Sequence, residues 1–230
     1  MISDKHKCIH VHIPRTAGSS VEKVLGYDLG KGDHRTIHQY KALSLSDDAR
    51  KPPDWDHVLN RYGKYFKFSF VRNPWSKMVS HFIWMMMRRR SSLADHHYTA
   101  TITFKDWLQG LANPGSTAAA TRASGGKDIH TRNQLDWLCD KRWNGNKAPK
   151  DFKIEVDFIG RFENLEEDWN FICQKLNLKT KLPHERPGIQ GCADIFSKDY
   201  REYYDDETIE IVRQRYEDDI RFFKYKFENE

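Results

Sequence analysis

The sequence has no apolar run approaching the roughly 18 residues that a membrane-spanning helix needs, so no membrane span is expected. A secretory signal is not expected either, because a first strand already starts near Cys8. The 4 cysteines, Cys8, Cys139, Cys173 and Cys192, show no C-x-x-C spacing, which argues against a zinc site or a redox pair. Scattered thiols in such a chain are most simply free and reduced. A cytoplasmic location is therefore the expectation, with a luminal domain lacking its anchor as the alternative. The basic run Arg88-Arg89-Arg90 reads as a solvated helix end rather than a substrate-facing rim, and denser clusters would be usual for a domain that coats nucleic acid. A formal charge of +5 is a mild excess that suits an anionic ligand better than nucleic acid, so no nucleic-acid partner is expected. His96-His97 is the pair most suggestive of a metal, but adjacent side chains do not converge and no acidic partner is spaced for them. No metal is expected.

What is present begins with a length of 230 residues, 38% of them hydrophobic and 13% aromatic, enough for a single domain over 1–230 with an aromatic core. The chain is organised around Cys8 to Ser20. Ile9, Val11 and Ile13 alternate with Cys8, His10 and His12 as in a strand. Pro14, with no N–H for a ladder, ends it. Arg15-Thr16-Ala17-Gly18 then forms a loop leading into a helix from Ser19 to Leu25. Strand, small-residue loop and helix N-terminus together bind phosphate: free N–H groups converge there, and the helix dipole adds roughly half a positive charge. Gly18 would let a ligand approach the backbone, while Thr16, Ser19 and Ser20 offer hydroxyl donors. Arg15 adds a permanent cation. The loop is not a Walker motif, because Ser19 stands where that motif has its lysine and Ile13 where it has its first glycine.

A second unit of the same kind follows. Tyr65 to Val71 is a strand with Phe66, Phe68 and Phe70 on one face, ending in Arg72-Asn73-Pro74 before a helix from Trp75. Two such units predict a parallel sheet whose loops open on one edge, where ligands bind. Arg72 and Ser80 would then serve a second anionic group. Between the units lie His34 and His38, four apart. Further on, Asp54 to Tyr62 and Thr103 to Leu111 read as amphipathic helices, the second with a capping-box start. Thr131 to Leu138 reads as a helix, Val156 to Phe162 as a third strand, Asn164 to Leu176 as a capped helix and Asp205 to Tyr216 as a final one. The loops over 91–127 and 182–197 carry no readable code.

Both loops together resemble the sulfotransferases, and among them the carbohydrate group that includes the heparan 2-O-sulfotransferases. Pro14 to Ser20, PRTAGSS, is similar to the family's 5′-phosphosulfate loop. Phe70 to Ser80, FVRNPWSKMVS, is similar to its 3′-phosphate motif, with the serine eight residues after the arginine. The stretch FIGRFENLEEDW, from Phe158 to Trp169, also looks familial. The resemblance implies a P-loop-like α/β fold with a central parallel sheet flanked by helices. It also implies a donor, 3′-phosphoadenosine 5′-phosphosulfate (PAPS), leaving PAP as product, and a hydroxyl-bearing acceptor, expected to be a carbohydrate. By the same resemblance Arg15, Thr16, Ala17, Gly18, Ser19 and Ser20 hold the 5′ end, while Arg72 and Ser80 hold the 3′-phosphate. His34 is the general base, with His38 in reserve. Many relatives have lysine at the place of Arg15; arginine keeps the anion-binding role and, as a poor proton donor, sets a general-acid role in question. Two rivals stand beside this reading: a nucleotide-dependent kinase of related fold, and a non-catalytic module for phosphonucleotides or anionic polymers. The residues leave the oligomeric state open.

Overall fold

The computed structural model describes residues 1–26, 34–37, 40, 62–91 (side chains to 86), 102–112, 129–140, 147–183 and 199–227. The anticipated helix Asp54 to Tyr62 except Tyr62 itself, the pair His96-His97, His38, Cys192 and most of the 91–127 and 182–197 loops lie outside them. The chain divides into two compact units: Met1–Arg72 with Asn133–Glu185, and Asn73–Arg132 with Arg186–Glu230.

The first unit is built on a four-stranded sheet in the order β1 (Ile2–Ser3), β2 (Cys8–Val11), β3 (Phe66–Val71), β4 (Phe158–Arg161). β2, β3 and β4 are parallel, as the repeated strand–loop–helix pattern predicts. β1 is an antiparallel edge strand of two residues, too short for any alternation to reveal it. Register places His10 beside Phe68 and Phe70 beside Gly160, so these residues share a face. Helices α1 (Gly18–Val24) and α5 (Leu165–Leu176) cover that face: Val21 and Leu25 meet Cys8, Phe68 and Phe70 together with Trp169, Ile172 and Cys173. Trp169, Ile172, Cys173 and Leu176 follow helical spacing, and Glu166, Glu167 and Asp168 in the first turn complement the helix dipole. The opposite face is buried as well, at Val11, Ser69 and Val71.

Several local features differ from the sequence expectation. The third strand stops at Arg161, because Phe162–Asn164 tightens into a 3₁₀ turn. Asn164 precedes α5 without a side-chain capping bond; the Asp168 carboxylate instead turns back to accept the Arg161 N–H at 2.6 Å. Thr131 to Leu138 is not one helix but a 3₁₀ turn (Ile129–Thr131) and a separate short helix, α4 (Leu135–Leu138).

The second unit is helical among its described residues. α2 (Pro74–Ser91) starts where Asn73 Oδ1 accepts the Trp75 N–H at 3.0 Å and Pro74, lacking an N–H, takes the first helical position. α3 (Phe104–Ala112) begins with the anticipated reciprocal bonds between Thr103 and Asp106. α6 (Asp206–Arg215) is capped by Asp205 with Thr208. A further helix, α7 (Glu217–Phe223), was not anticipated. Trp75, Met78 and Val79 on α2 and Trp107 and Leu108 on α3 are buried. Lys77 is buried too, donating to the His130 carbonyl at 2.8 Å with its ammonium 5.6 Å from the Tyr216 ring. No described helix is long and apolar enough to cross a membrane. Cys8, Cys139 and Cys173 are buried thiols, none in a disulfide.

Gly160 leaves the space that the Phe70 ring fills: a Cβ there would stand 2.5 Å from that ring and 3.1 Å from Asp168 Cβ. Gly160→Ala is expected to destabilise the protein by about 1–3 kcal/mol through overpacking, read from chemical unfolding.

Candidate functional site

The two motif loops leave the same edge of the sheet. β2 and β3 pair in parallel from Cys8↔Phe66 to Val11↔Ser69, so both chains exit at their carboxyl ends. After β2, Arg15 and Ala17 adopt left-handed φ values of 69° and 68°. Each costs about 1–2 kcal/mol for a residue with a Cβ, and such strain gathers at binding sites. Thr16 between them is not left-handed. Left-handed residues in such a turn occur in backbone nests, whose N–H groups bind anions. Arg15 is half-buried, and burial lowers its guanidinium to about 10, which leaves it cationic at neutral pH.

Two members of this loop act differently from expectation. Thr16 is fully buried and donates its hydroxyl to the Ile13 carbonyl at 2.8 Å, so it braces the loop rather than offering that proton to a ligand. At Gly18 a Cβ would stand 1.9 Å from the His12 ring, so its missing side chain admits His12 to the face of α1. Ser19 is exposed and Ser20 is buried at the start of the same helix.

Arg72, just past the end of β3, is held from three sides. Its N–H donates to Gln134 Oε1 and its carbonyl accepts from Gln134 Nε2, each at 2.8 Å. Its guanidinium lies 4.0 Å over the Phe162 ring, a cation–π contact, and Nη1 donates to the Arg15 carbonyl at 3.3 Å. The first unit thus brings Arg15 and Arg72 together. Ser80 is half-buried on α2 and belongs to the second unit.

His34 joins the first loop from the other direction. Its Nδ1 lies 3.3 Å from the His12 carbonyl oxygen. A carbonyl only accepts, so in this bond Nδ1 carries the proton and Nε2 is the basic nitrogen. The His34 ring packs 4.3 Å from that of His12 and edge-on to Trp137 at 6.4 Å. His12 Nδ1 in turn lies 3.0 Å from Glu22 Oε1, both side chains buried. Gly18 and Glu22, four apart on α1, therefore present one face to His12.

Gln134, Phe162 and Glu22 were not anticipated as parts of the site. An acid beside Val21 on a helix with a buried face was the one legible signal among them. His38 lies outside the described residues. Among those described, no three His, Cys, Asp or Glu side chains cluster as a metal site would require.

The chain belongs to the sulfotransferase family, whose family model matches residues 1–226. It is 25% identical over 200 residues to carbohydrate sulfotransferase 8 of Homo sapiens, an alignment covering 80% of this chain and 44% of that protein. To carbohydrate sulfotransferase 9 of Homo sapiens it is 25% identical over 235 residues, 94% of this chain and 47% of the relative. Carbohydrate sulfotransferase 14 of Danio rerio is 27% identical over 192 residues, 76% of this chain and 47% of the relative. The chain thus spans about half the length of these curated relatives. The likeness to the carbohydrate group that the two motifs carry is borne out. No solved structure matches the chain.

His10 gives the site's surroundings a pH signature. It is fully buried against Phe68 and His12, and neither ring nitrogen has a hydrogen-bond partner among the described residues. Burial, with nearby positive charge, holds its pKa well below the usual histidine value. The unfolded chain therefore takes up this proton below about pH 6.5 while the folded one does not, so stability falls as pH drops through that value. The thermal midpoint is expected to fall between pH 7 and pH 5, with a shallower fall in His10→Phe. Equal slopes would count against a neutral buried His10.

Proposed function

We propose that this chain transfers a sulfuryl group from PAPS to a hydroxyl of a carbohydrate acceptor. The observation that carries the reading is the bond from the Arg72 guanidinium to the Arg15 carbonyl, which joins the two stretches that resemble the family's phosphate motifs. The Arg15 cation and the left-handed turn at residues 15 and 17, a backbone type found in anion-binding nests, suit the 5′-phosphosulfate. Arg72 suits the 3′-phosphate; the part of Ser80 rests on the motif. The donor supplies the sulfuryl group, which exchanges its bond to the 5′-phosphate oxygen for one to the acceptor oxygen.

The protein's own contribution is charge and a proton acceptor. Nε2 of His34 takes the acceptor's hydroxyl proton, and the His12 carbonyl keeps the opposite ring nitrogen protonated so that Nε2 stays basic. Arg15 stabilises the charge left on the 5′-phosphate oxygen. The positive field comes from the guanidinium and the backbone, and no metal is assigned a role. The carbohydrate acceptor is taken from the names of the relatives.

Calorimetric titration with PAP, AMP and ATP–magnesium tests the donor. PAP is expected to bind preferentially, and Arg72→Ala to weaken it about 10- to 100-fold, the value of a charged hydrogen-bonded contact. Better binding of ATP–magnesium would turn the reading to a kinase. His34→Ala is expected to lower kcat about 100- to 10,000-fold with PAP affinity retained. Near-normal turnover in that variant removes His34 from the mechanism, and PAP binding without turnover on any glycan would favour a binding module.

A further inference from the structure

Gln134 lies outside both motifs, yet its side chain holds the backbone of the motif arginine. The β3–β4 ladder ends at Val71↔Arg161, so Arg72 is the first residue past it, with a peptide N–H and C=O that the ladder no longer pairs. The Gln134 amide carries the same donor and acceptor as a peptide group and meets both, at 2.8 Å each. It does so with no solvent exposure, directly before the buried α4. For one residue, a side chain takes the place of a neighbouring strand.

We propose that Gln134 is a positioning residue for nucleotide selectivity: by fixing the Arg72 peptide, it sets where the guanidinium stands and thereby the preference for a nucleotide bearing a 3′-phosphate. The inference rests on the reading of Arg72 as the 3′-phosphate ligand. The physical ground is preorganisation. An arginine side chain has many rotamers to lose, and docking it on Phe162 and the Arg15 carbonyl before ligand arrives lowers the ordering cost on binding. That docked geometry starts from the Arg72 Cα, which the two Gln134 bonds locate. A loosened Cα moves the guanidinium relative to the phosphate and leaves contacts to the 5′ end alone.

The test compares PAP with AMP, which lacks the 3′-phosphate, by calorimetry on the full chain. The proteins are wild type, Gln134→Met, Arg72→Ala and the double variant. Gln134→Met keeps the volume and removes both bonds. The expected result is a PAP-over-AMP preference reduced about 10-fold in Gln134→Met, with AMP affinity within about twofold of wild type. In the Arg72→Ala background, Gln134→Met is expected to add no further loss for PAP, because it acts through Arg72. If Gln134→Met does not fold, Gln134→Glu serves, since it keeps the acceptor for the Arg72 N–H and removes the donor to its carbonyl. Equal loss of PAP and AMP, or additive losses in the double variant, would overturn the proposal as a merely structural role. A wild-type preference lost in Arg72→Ala but kept in Gln134→Met overturns the proposal alone. A wild type with no preference for PAP overturns the parent reading, and this inference with it.

Discussion

Parallel pairing between β2 and β3 is the constraint on which the candidate site depends. Because the two strands run the same way in fixed register, the segments after Val11 and Val71 emerge at one edge of the sheet. An antiparallel pair would have sent one of them to the far end. Given that edge, an arginine side chain from the second loop can reach a carbonyl of the first, as Arg72 does with Arg15. The remaining contacts refine this placement: Gln134 fixes the peptide from which Arg72 departs, and Phe162, just beyond β4, supplies the surface its guanidinium rests on.

A second theme is polar groups buried beside the site. His12 and Glu22 sit out of water as a matched pair, and Gly18 is the opening through which the imidazole reaches α1. Leaving either partner alone would bury an unmatched titratable group, which is more costly than keeping or removing both. The arrangement gives His34 a firm carbonyl to donate to and a ring to lean on. Backbone strain at Arg15 and Ala17 belongs to the same economy of form, since both lie within this braced turn.

The elements legible in the sequence are those whose stabilisation is local. Phe66, Phe68 and Phe70 mark β3 by alternation, Thr103 and Asp106 mark the start of α3 by capping chemistry, and Trp169, Ile172 and Cys173 mark α5 by helical spacing. The family followed from two motifs, each continuous in sequence. What escaped the reading depends on distant partners. β1 exists because β2 offers an edge, and two residues carry no period. Thr131 to Leu138 has helical composition, but the chain breaks after the turn at Thr131 and resumes at Leu135, with Gln134 bonded to a residue 62 positions earlier. Gly18 was legible as a tight spot, though the group that approaches it is His12 and its own chain supplies that group. Ser80, Ser19 and Ser20 are assigned by motif, whereas the Thr16 hydroxyl is committed to the Ile13 carbonyl.

The first unit is discontinuous in sequence, and that bears on how the chain is made. During synthesis β2, α1 and β3 emerge first, but β4 and α5 follow only after the whole stretch 73–132 of the second unit. Until then the Phe68–Phe70 face lacks Trp169 and Ile172, and one edge of β3 has no neighbour. An unpaired strand with a bare aromatic face is a template for association with other chains. Nascent or truncated chains ending before Phe158 would therefore be the aggregation-prone species, and folding of this unit must wait on its last third rather than proceed from its first.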